Sequence, residues 1–244
     1  GLDGVDSSDS VMLVALDRVH QKIKLISLAR DSYVFIPEFA SFSKLAYSYT
    51  WGGAAMAVKN LNYNYYLNVS DYIAVDFDQL AQIIDRIGGV TVNIDEDEAR
   101  YLSGYPNVHV GDCLLDGETA VSYARIRKSS ATDSDRKRTG RQREVILSIL
   151  NTLQTMPLSQ YPGFVRDCLG MCATSFEAET LLTMAAETLG QNYTVEQYFF
   201  PEGQVDWWAG LIKEYFYYVY DLRRASDRIY RIIYEELYIS GYDD

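Results

Sequence analysis

Residues 72–94 read YIAVDFDQLAQIIDRIGGVTVNI. The stretch opens on Tyr72–Phe77, a short apolar run with β-branched and aromatic residues that predicts a strand. Leu80, Ile83, Ile84 and Ile87 then recur at i, i+3, i+4 and i+7. That spacing puts apolar side chains on one helical face, so Asp78–Ile87 is expected to be a helix. Gly88-Gly89 ends it, because glycine takes the left-handed conformation that closes a helix. Val90–Ile94 (VTVNI) is the next expected strand. Strand, helix, glycine pair, strand is the order of a βαβ unit, and it points to an α/β sheet.

Working outward, Ser10–Leu16 (SVMLVAL) and Lys22–Ser27 (KIKLIS) are apolar runs joined by polar residues, and they predict a hairpin. Tyr33–Ile36 predicts a further short strand before Pro37. Gly52-Gly53 opens a helix over Ala54 to Leu61. Asp95–Asp112 is polar and reads as irregular. Asp116-Gly117-Glu118 starts a helix that ends near Arg125, residues 128–134 (KSSATDS) read as a loop, and a long helix covers Asp135 to Leu153. Gln197–Phe200 predicts a strand, and Trp207–Leu237, rich in Tyr, Trp and Arg, predicts a helix. No internal repeat or linker-like segment interrupts the chain, so residues 1–244 read as a single domain, with 151–244 as its helical completion.

The 244 residues are 48% hydrophobic, enough for a sizeable core and too apolar for global disorder. A net charge of −12 argues against nucleic acid as a partner, since such binders carry a basic surface. The 21 tyrosines offer apolar area with a polar tip, which suits a wet surface, a carbohydrate-facing groove or an interface. Cys113, Cys168 and Cys172 fit no zinc ligand spacing. They leave open one disulfide with a spare thiol, or three thiols. No apolar run reaches the ~18 residues of a bilayer span. The chain opens at Gly1-Leu2-Asp3 without an initiator methionine and reads as a fragment that has lost its natural N-terminus.

Against that acidic background, eight of the 22 lysines and arginines fall between Arg125 and Arg143. They are six arginines and two lysines, opposed only by Asp133 and Asp135. Clustered like charges repel, and an anionic ligand is the simplest reason to collect them. Arginine's planar fork matches phosphate oxygens two at a time. Arg138, Arg141 and Gln142 sit at i, i+3, i+4, and Val145 and Ile149 continue the same stripe. A solvated basic face would not merge into a core-facing stripe. The pattern places guanidiniums at the rim of the core, near a helix N-terminus that itself favours anions. Arg125 and Arg127 precede the loop and are expected to converge on the same point.

Two weaker signals lie upstream. Asp3, Asp6 and Asp9 precede the first strand, and clustered carboxylates there can hold Mg²⁺ or a similar hard cation. Arg30-Asp31 follows the second strand directly, at a sheet edge where α/β proteins bind ligands. Lys44 sits in a loop of Ser, Phe and Tyr.

Taken in order, these motifs resemble the LytR-CpsA-Psr proteins of bacterial envelopes. Gly1-Leu2-Asp3 with Ser8-Asp9-Ser10 is similar to the family's opening acidic pair. Leu28-Ala29-Arg30-Asp31-Ser32 resembles its arginine-aspartate turn, although Leu28-Ala29 stands where Ile-Pro is usual. Lys44-Leu45-Ala46-Tyr47 before Gly52-Gly53, Ile87-Gly88-Gly89-Val90, and Leu115-Asp116-Gly117-Glu118-Thr119-Ala120 before Tyr123-Ala124-Arg125-Ile126-Arg127 each match a further family segment. Asp135, Arg138, Arg141 and Gln142 fit its D-x-x-R-x-x-R-Q pattern.

The resemblance implies a three-layer α/β/α sandwich around a mixed central sheet. It places that domain at the extracytoplasmic face of the cell membrane, tethered by an N-terminal anchor. It implies a phosphotransferase that moves a glycopolymer, such as teichoic acid or capsule, from a polyprenyl-pyrophosphate carrier to a peptidoglycan hydroxyl. By resemblance, Asp3 and Asp9 hold Mg²⁺ (or Mn²⁺). Arg30, Arg125, Arg127, Arg138 and Gln142 grip the pyrophosphate, and Lys44, Arg141, Asp31 and Asp135 support the site. Asp31 and Asp135 are both candidates to accept the hydroxyl proton. A non-catalytic polyprenyl-phosphate binding or sensor module and a pyrophosphatase are the competing readings.

Overall fold

In the computed structural model the two N-terminal apolar runs form the expected hairpin. The structure describes residues 8–127, 131–189, 193–201 and 206–235, with backbone alone for 131–135, 189 and 235. Two compact units divide the chain, one from Gly1–Ser70 with Thr194–Asp244 and the other from Asp71–Tyr193. The first begins with β1 (Val11–Asp17), β2 (Lys22–Leu28), β3 (Tyr33–Ile36), β4 (Ser41–Lys44) and α1 (Tyr47–Tyr65). The second holds β5 (Ile73–Ala74), α2 (Phe77–Arg86), β6 (Val90–Ile94), α3 (Glu96–Tyr101), β7 (Gly111–Leu115) and α4 (Gly117–Ala124). It continues through α5 (Ala131–Thr155), α6 (Tyr161–Met171), β8 (Ala173–Thr174) and α7 (Ala178–Leu189). The chain then returns to the first unit with β9 (Thr194–Phe200), β10 (Trp207–Ile212), β11 (Tyr215–Tyr220) and α8 (Leu222–Tyr230).

In the first unit β1 pairs antiparallel with β2, and β2 pairs parallel with β9 from Lys22↔Thr194 to Leu28↔Phe200. The sheet is therefore mixed, as expected of this α/β fold, with β2 in the middle. A strand flanked on both sides and covered on both faces reads as nearly continuous apolar sequence. Ile23, Leu25, Ile26 and Leu28 are all buried accordingly. Ile26 and Leu28 share one core with Leu61 and Tyr65 of α1 and Ala225 and Ile229 of α8. Lys24, also buried, is tolerated because its ammonium donates to Asp17 Oδ2 at 2.9 Å. α1 bends at Gly52 and at Gly53, whose φ of +64° suits glycine, so the pair does open the longer helical segment.

In the second unit β6 pairs antiparallel with β7, and β5 forms a two-residue pair with β8. Ile84, Val90, Val92, Leu115, Ile126 and Val145 share its core. α2 closes as expected, with the amide of Gly89 donating to Ile84 O at 2.9 Å. Gly117 earns its place differently: a Cβ there would sit 2.1 Å from Ala81 O, so only glycine lets α4 lie on α2.

Several expectations need correction. The strand over Tyr72–Phe77 shrinks to Ile73–Ala74, because Asp76 caps α2 through Gln79 N and Phe77 becomes its first residue. β5 and β6 lie in different sheets, so the βαβ unit read from this stretch is not formed. The polar stretch after Asp95 contains α3, whose capping box (Asp95 with Glu98) and acidic first turn favour a helix N-terminus. The loop assigned to 128–134 is helical from Ala131, while 128–130 lie outside the described residues. The C-terminal aromatic helix from Trp207 is instead the β10–β11 hairpin, in register from Trp207↔Tyr220 to Ile212↔Tyr215, and only then α8. Aromatic and β-branched residues in YFYYVY favour a pleated, half-buried surface over a helix. Cys113, Cys168 and Cys172 are unbridged thiols.

Candidate functional site

The turn after β2 is held by its backbone. Ser32 N and Ser32 Oγ both donate to Ala29 O, at 3.0 and 2.6 Å, closing a tight turn with Arg30 and Asp31 at its centre. Ala46 N donates to Arg30 O at 3.0 Å, Tyr218 N to Asp31 O at 2.9 Å and Leu45 N to Ser32 O at 3.0 Å. The carbonyls of Arg30, Asp31 and Ser32 thus each accept an amide from a neighbouring segment, which fixes where the two charged side chains leave the chain. Beneath the turn, Ser32 Oγ meets Tyr220 OH at 2.8 Å, and Tyr220 OH meets Tyr65 OH at 2.5 Å. Burial raises both phenols, Tyr220 to about 12 and Tyr65 well above its ordinary value, so both stay protonated and available as donors.

Four of the expected site residues meet on this turn. Arg30 Nη1 donates to Asp9 Oδ1 at 2.9 Å, and Arg30 Nε lies 3.6 Å from Asp31 Oδ2. Lys44 Nζ sits 2.7 Å from Asp31 Oδ1, with the rings of Tyr47 and Tyr217 at 6.0 and 5.8 Å. Asp31 therefore has a cation on each oxygen. Arg30 Nε, nearly inaccessible, has no hydrogen-bond partner among the described residues. Asp3 lies outside the described residues, and among those described no group of three or more acidic, histidine or cysteine side chains is close enough to hold a metal ion. Asp9, partly exposed, offers a hard carboxylate of the kind Mg²⁺ accepts alongside retained waters.

The second unit builds its basic cluster on α4 and α5. Arg125 is the C-cap of α4, exposed, with its Cζ 4.4 Å from the centroid of the Phe77 ring. A guanidinium resting on a ring keeps its in-plane N–H groups available to an anion. Arg127 is exposed as well, two residues on. On α5 the predicted stripe is real: Arg138, Arg141, Gln142 and Val145 are all buried, whereas Arg136 and Lys137 face solvent. The helix starts four residues before Asp135, at Ala131, so Arg138 stands two turns inside it rather than at its N-terminus. The side chain of Asp135 lies outside the described residues.

Arg141 is committed within the protein. Its Nε donates to Glu98 Oε1 at 2.6 Å, both side chains being nearly inaccessible, and its Nη1 donates to Ile126 O at 3.1 Å. Ile126 lies between Arg125 and Arg127, so this contact fixes the backbone that presents them. Gln142 Oε1 is buried with no hydrogen-bond partner among the described residues. Tyr123 OH donates to Glu144 Oε2, and burial first, then Glu144, pushes the phenol far up.

Sequence reasoning missed Glu98, Phe77 and the Tyr123–Glu144 pair. The D-x-x-E box at 95–98 is a helix-start signal that the irregular reading of this stretch overlooked, and nothing in it points to Arg141 as the partner of Glu98.

The model of the LytR_cpsA_psr family matches residues 2–230. The polyisoprenyl-teichoic acid–peptidoglycan teichoic acid transferase TagU of Oceanobacillus iheyensis is 29% identical over 195 residues, covering 77% of this chain and 59% of that protein. The chain spans about half to two thirds of the length of the curated relatives it matches. The crystal structure of Bacillus subtilis TagT is similar, with a TM-score of 0.76 at 21% identity over 96% of this chain and 88% of that one. A TagT structure with bound octaprenyl pyrophosphate lipid has a TM-score of 0.73 at 18% identity, covering 93% and 85%. Likeness at this level of identity establishes the fold.

Proposed function

For this chain, which belongs to the LytR-CpsA-Psr family, we propose transfer of a glycopolymer from a polyprenyl-pyrophosphate carrier to a peptidoglycan hydroxyl, at the extracytoplasmic face of the membrane. The observation that carries the reading is the pinned Arg30-Asp31 turn, where two cations share one carboxylate. Relatives named as teichoic acid transferases, and a TagT structure with bound octaprenyl pyrophosphate, support it.

Phosphoryl transfer asks for charge neutralisation and alignment more than for covalent help from the protein. Arg125, Arg127, Arg138 and Gln142 bind the pyrophosphate oxygens, the exposed Arg125 offering the outer edge of its guanidinium. Arg30 and Lys44 stabilise the charge that develops as the bond breaks. The acceptor oxygen attacks the sugar-side phosphorus in line, a new O–P bond forms, the bond to the bridging oxygen breaks, and polyprenyl phosphate leaves. Asp31 holds Arg30 and Lys44 in place, since both of its oxygens are occupied. The hydroxyl proton goes to one of the two candidate carboxylates, Asp31 or Asp135. Arg141 positions Arg125 and Arg127 through Ile126 O. Asp9, together with Asp3, would hold Mg²⁺, which when bound would add positive charge at the phosphate oxygens.

The test is incubation with a radiolabelled lipid-linked donor and peptidoglycan. Covalent transfer is the expected result. Release of phosphate alone would make the protein a pyrophosphatase, and retention of the donor without turnover would make it a binding module.

A further inference from the structure

A row of aromatic rings leads away from Lys44 across the first unit. Tyr63 contacts Phe35 with ring centroids 5.9 Å apart, Phe35 contacts Phe42 at 5.2 Å, Phe42 stacks on Tyr33 at 5.0 Å, and Tyr33 meets Tyr217 at 4.9 Å. Tyr217 in turn lies against the Lys44 ammonium, which holds Asp31. Phe42 and Tyr63 are each 54% exposed, Phe35 and Tyr33 are partly buried, and Tyr217 is buried beneath Tyr33 beside Lys44. Monomeric proteins rarely leave connected aromatic area in water without a use for it.

The chemistry of the row narrows the occupant. Three of its five rings are tyrosines, which give apolar faces with hydroxyl tips. The two cations named beside the row are already matched: Lys44 pairs with Asp31 at 2.7 Å, and Lys59, one helical turn before Tyr63, pairs with Glu38 at 2.7 Å. A phosphate-rich polymer or an anionic lipid surface would call for unmatched cations along the row. A saccharide chain carries apolar C–H faces and hydroxyls and little charge, which is what half-exposed tyrosine and phenylalanine can bind. Each step between rings is on the scale of one sugar ring, and the row ends at the site.

We propose that the Tyr63–Phe35–Phe42–Tyr33 face, backed by the buried Tyr217, is the docking shelf for the glycan strand of the acceptor, leading one of its hydroxyls toward Lys44 and Asp31. This rests on the transferase reading above. Acceptor sugars lie on the ring faces, and the tyrosine hydroxyls and Lys44 meet their oxygens.

The full chain titrated calorimetrically with chitohexaose, an uncharged β-1,4-linked N-acetylglucosamine oligomer, tests this. Wild-type protein is expected to bind it. Phe42→Ala on β4 and Tyr63→Ala on α1 should each weaken binding by about tenfold, the size of a truncated aromatic contact. Both variants should melt with the wild type and bind inorganic pyrophosphate equally well. The two lie on different elements, so a folding failure in one leaves the other as the test. Unchanged chitohexaose affinity in the variants overturns the proposal, as does no binding by wild-type protein. Binding to phosphatidylglycerol vesicles that both variants lose, in place of saccharide binding, would make the row a membrane surface and also overturn it. Saccharide binding lost in the variants, by a wild-type protein that transfers nothing, would sink the activity and keep the shelf. Transfer with saccharide binding unaltered in the variants would do the reverse.

Discussion

Glu98→Gln isolates one charge in the second unit. Glu98 Oε1 and Arg141 Nε are 2.6 Å apart, with side chains 9% and 5% exposed. At that separation and an effective dielectric of about 20 their attraction is roughly 6 kcal/mol, and desolvation of both ions offsets most of it. The asymmetry lies in removing one partner. The amide keeps the volume of the carboxylate and an oxygen for the Asp95 amide at 3.0 Å, but it leaves the guanidinium buried without its counter-charge. Breaking a buried pair in this way costs about 3–5 kcal/mol. For a chain of this size that corresponds to a fall in melting temperature of about 6–20 °C. Arg141→Met should cost as much. The double variant Glu98→Gln/Arg141→Met should be more stable than either single one, because no unmatched charge remains. Calorimetric melts of the four proteins read the cycle directly. Below its melting temperature, Glu98→Gln should also transfer polymer more slowly, since Arg141 anchors Ile126 O between Arg125 and Arg127. A loss under about 1 kcal/mol, or strictly additive single effects, would refute the structural role given to Arg141.

Two further outcomes follow from the first unit. Burial alone would raise the Asp17 carboxyl, but the hydrogen bonds from His20 and Lys24 outweigh it and hold it well below the usual carboxylate range. Because the folded value is the lower one, the stabilisation is complete above about pH 3.9, the unfolded value, and fades as pH falls below it. Asp17→Asn, which strands the buried Lys24 ammonium, should therefore cost about 3–5 kcal/mol at pH 7 by denaturant titration, with the gap to wild type closing in acid. Tyr220→Phe removes the hydroxyl between Ser32 and Tyr65 and should cost about 1–3 kcal/mol. Because Ser32 closes the Arg30 turn, it should lower kcat more than it raises KM.

The sequence was most readable where one physical signal dominated. The apolar runs VMLVAL and KIKLIS, the Leu80–Ile87 spacing and the apolar continuation of the Arg138 stripe each produced the expected element. Pairing was not readable. β2 finds its parallel partner in β9, far along the chain, and no local pattern specifies that choice. Nor does any local pattern separate β5 from β6, which a strand–helix–strand order had put together. At the C-terminus, mixed aromatic and arginine content points to a helix, where the aromatic and β-branched run YFYYVY favours a hairpin. In the site, residue types were enough to pick out Arg30, Asp31 and Lys44, whose ion pairs are local in the fold. Arg141 looked like a phosphate ligand because its partner, Glu98, lies over forty residues earlier on a helix the sequence had left irregular. An arginine bound to a ligand and one bound to a buried carboxylate carry the same letter.

The central claim is that the arginines act on a pyrophosphate in a transfer reaction, and the rate of polymer transfer by Arg125→Ala tests it most directly. Arg125 is exposed, so the variant should melt with the wild type. Loss of one charge-stabilising donor should slow transfer from a polyprenyl-pyrophosphate donor by about a hundredfold or more. Transfer at the wild-type rate by a folded Arg125→Ala protein would contradict the account.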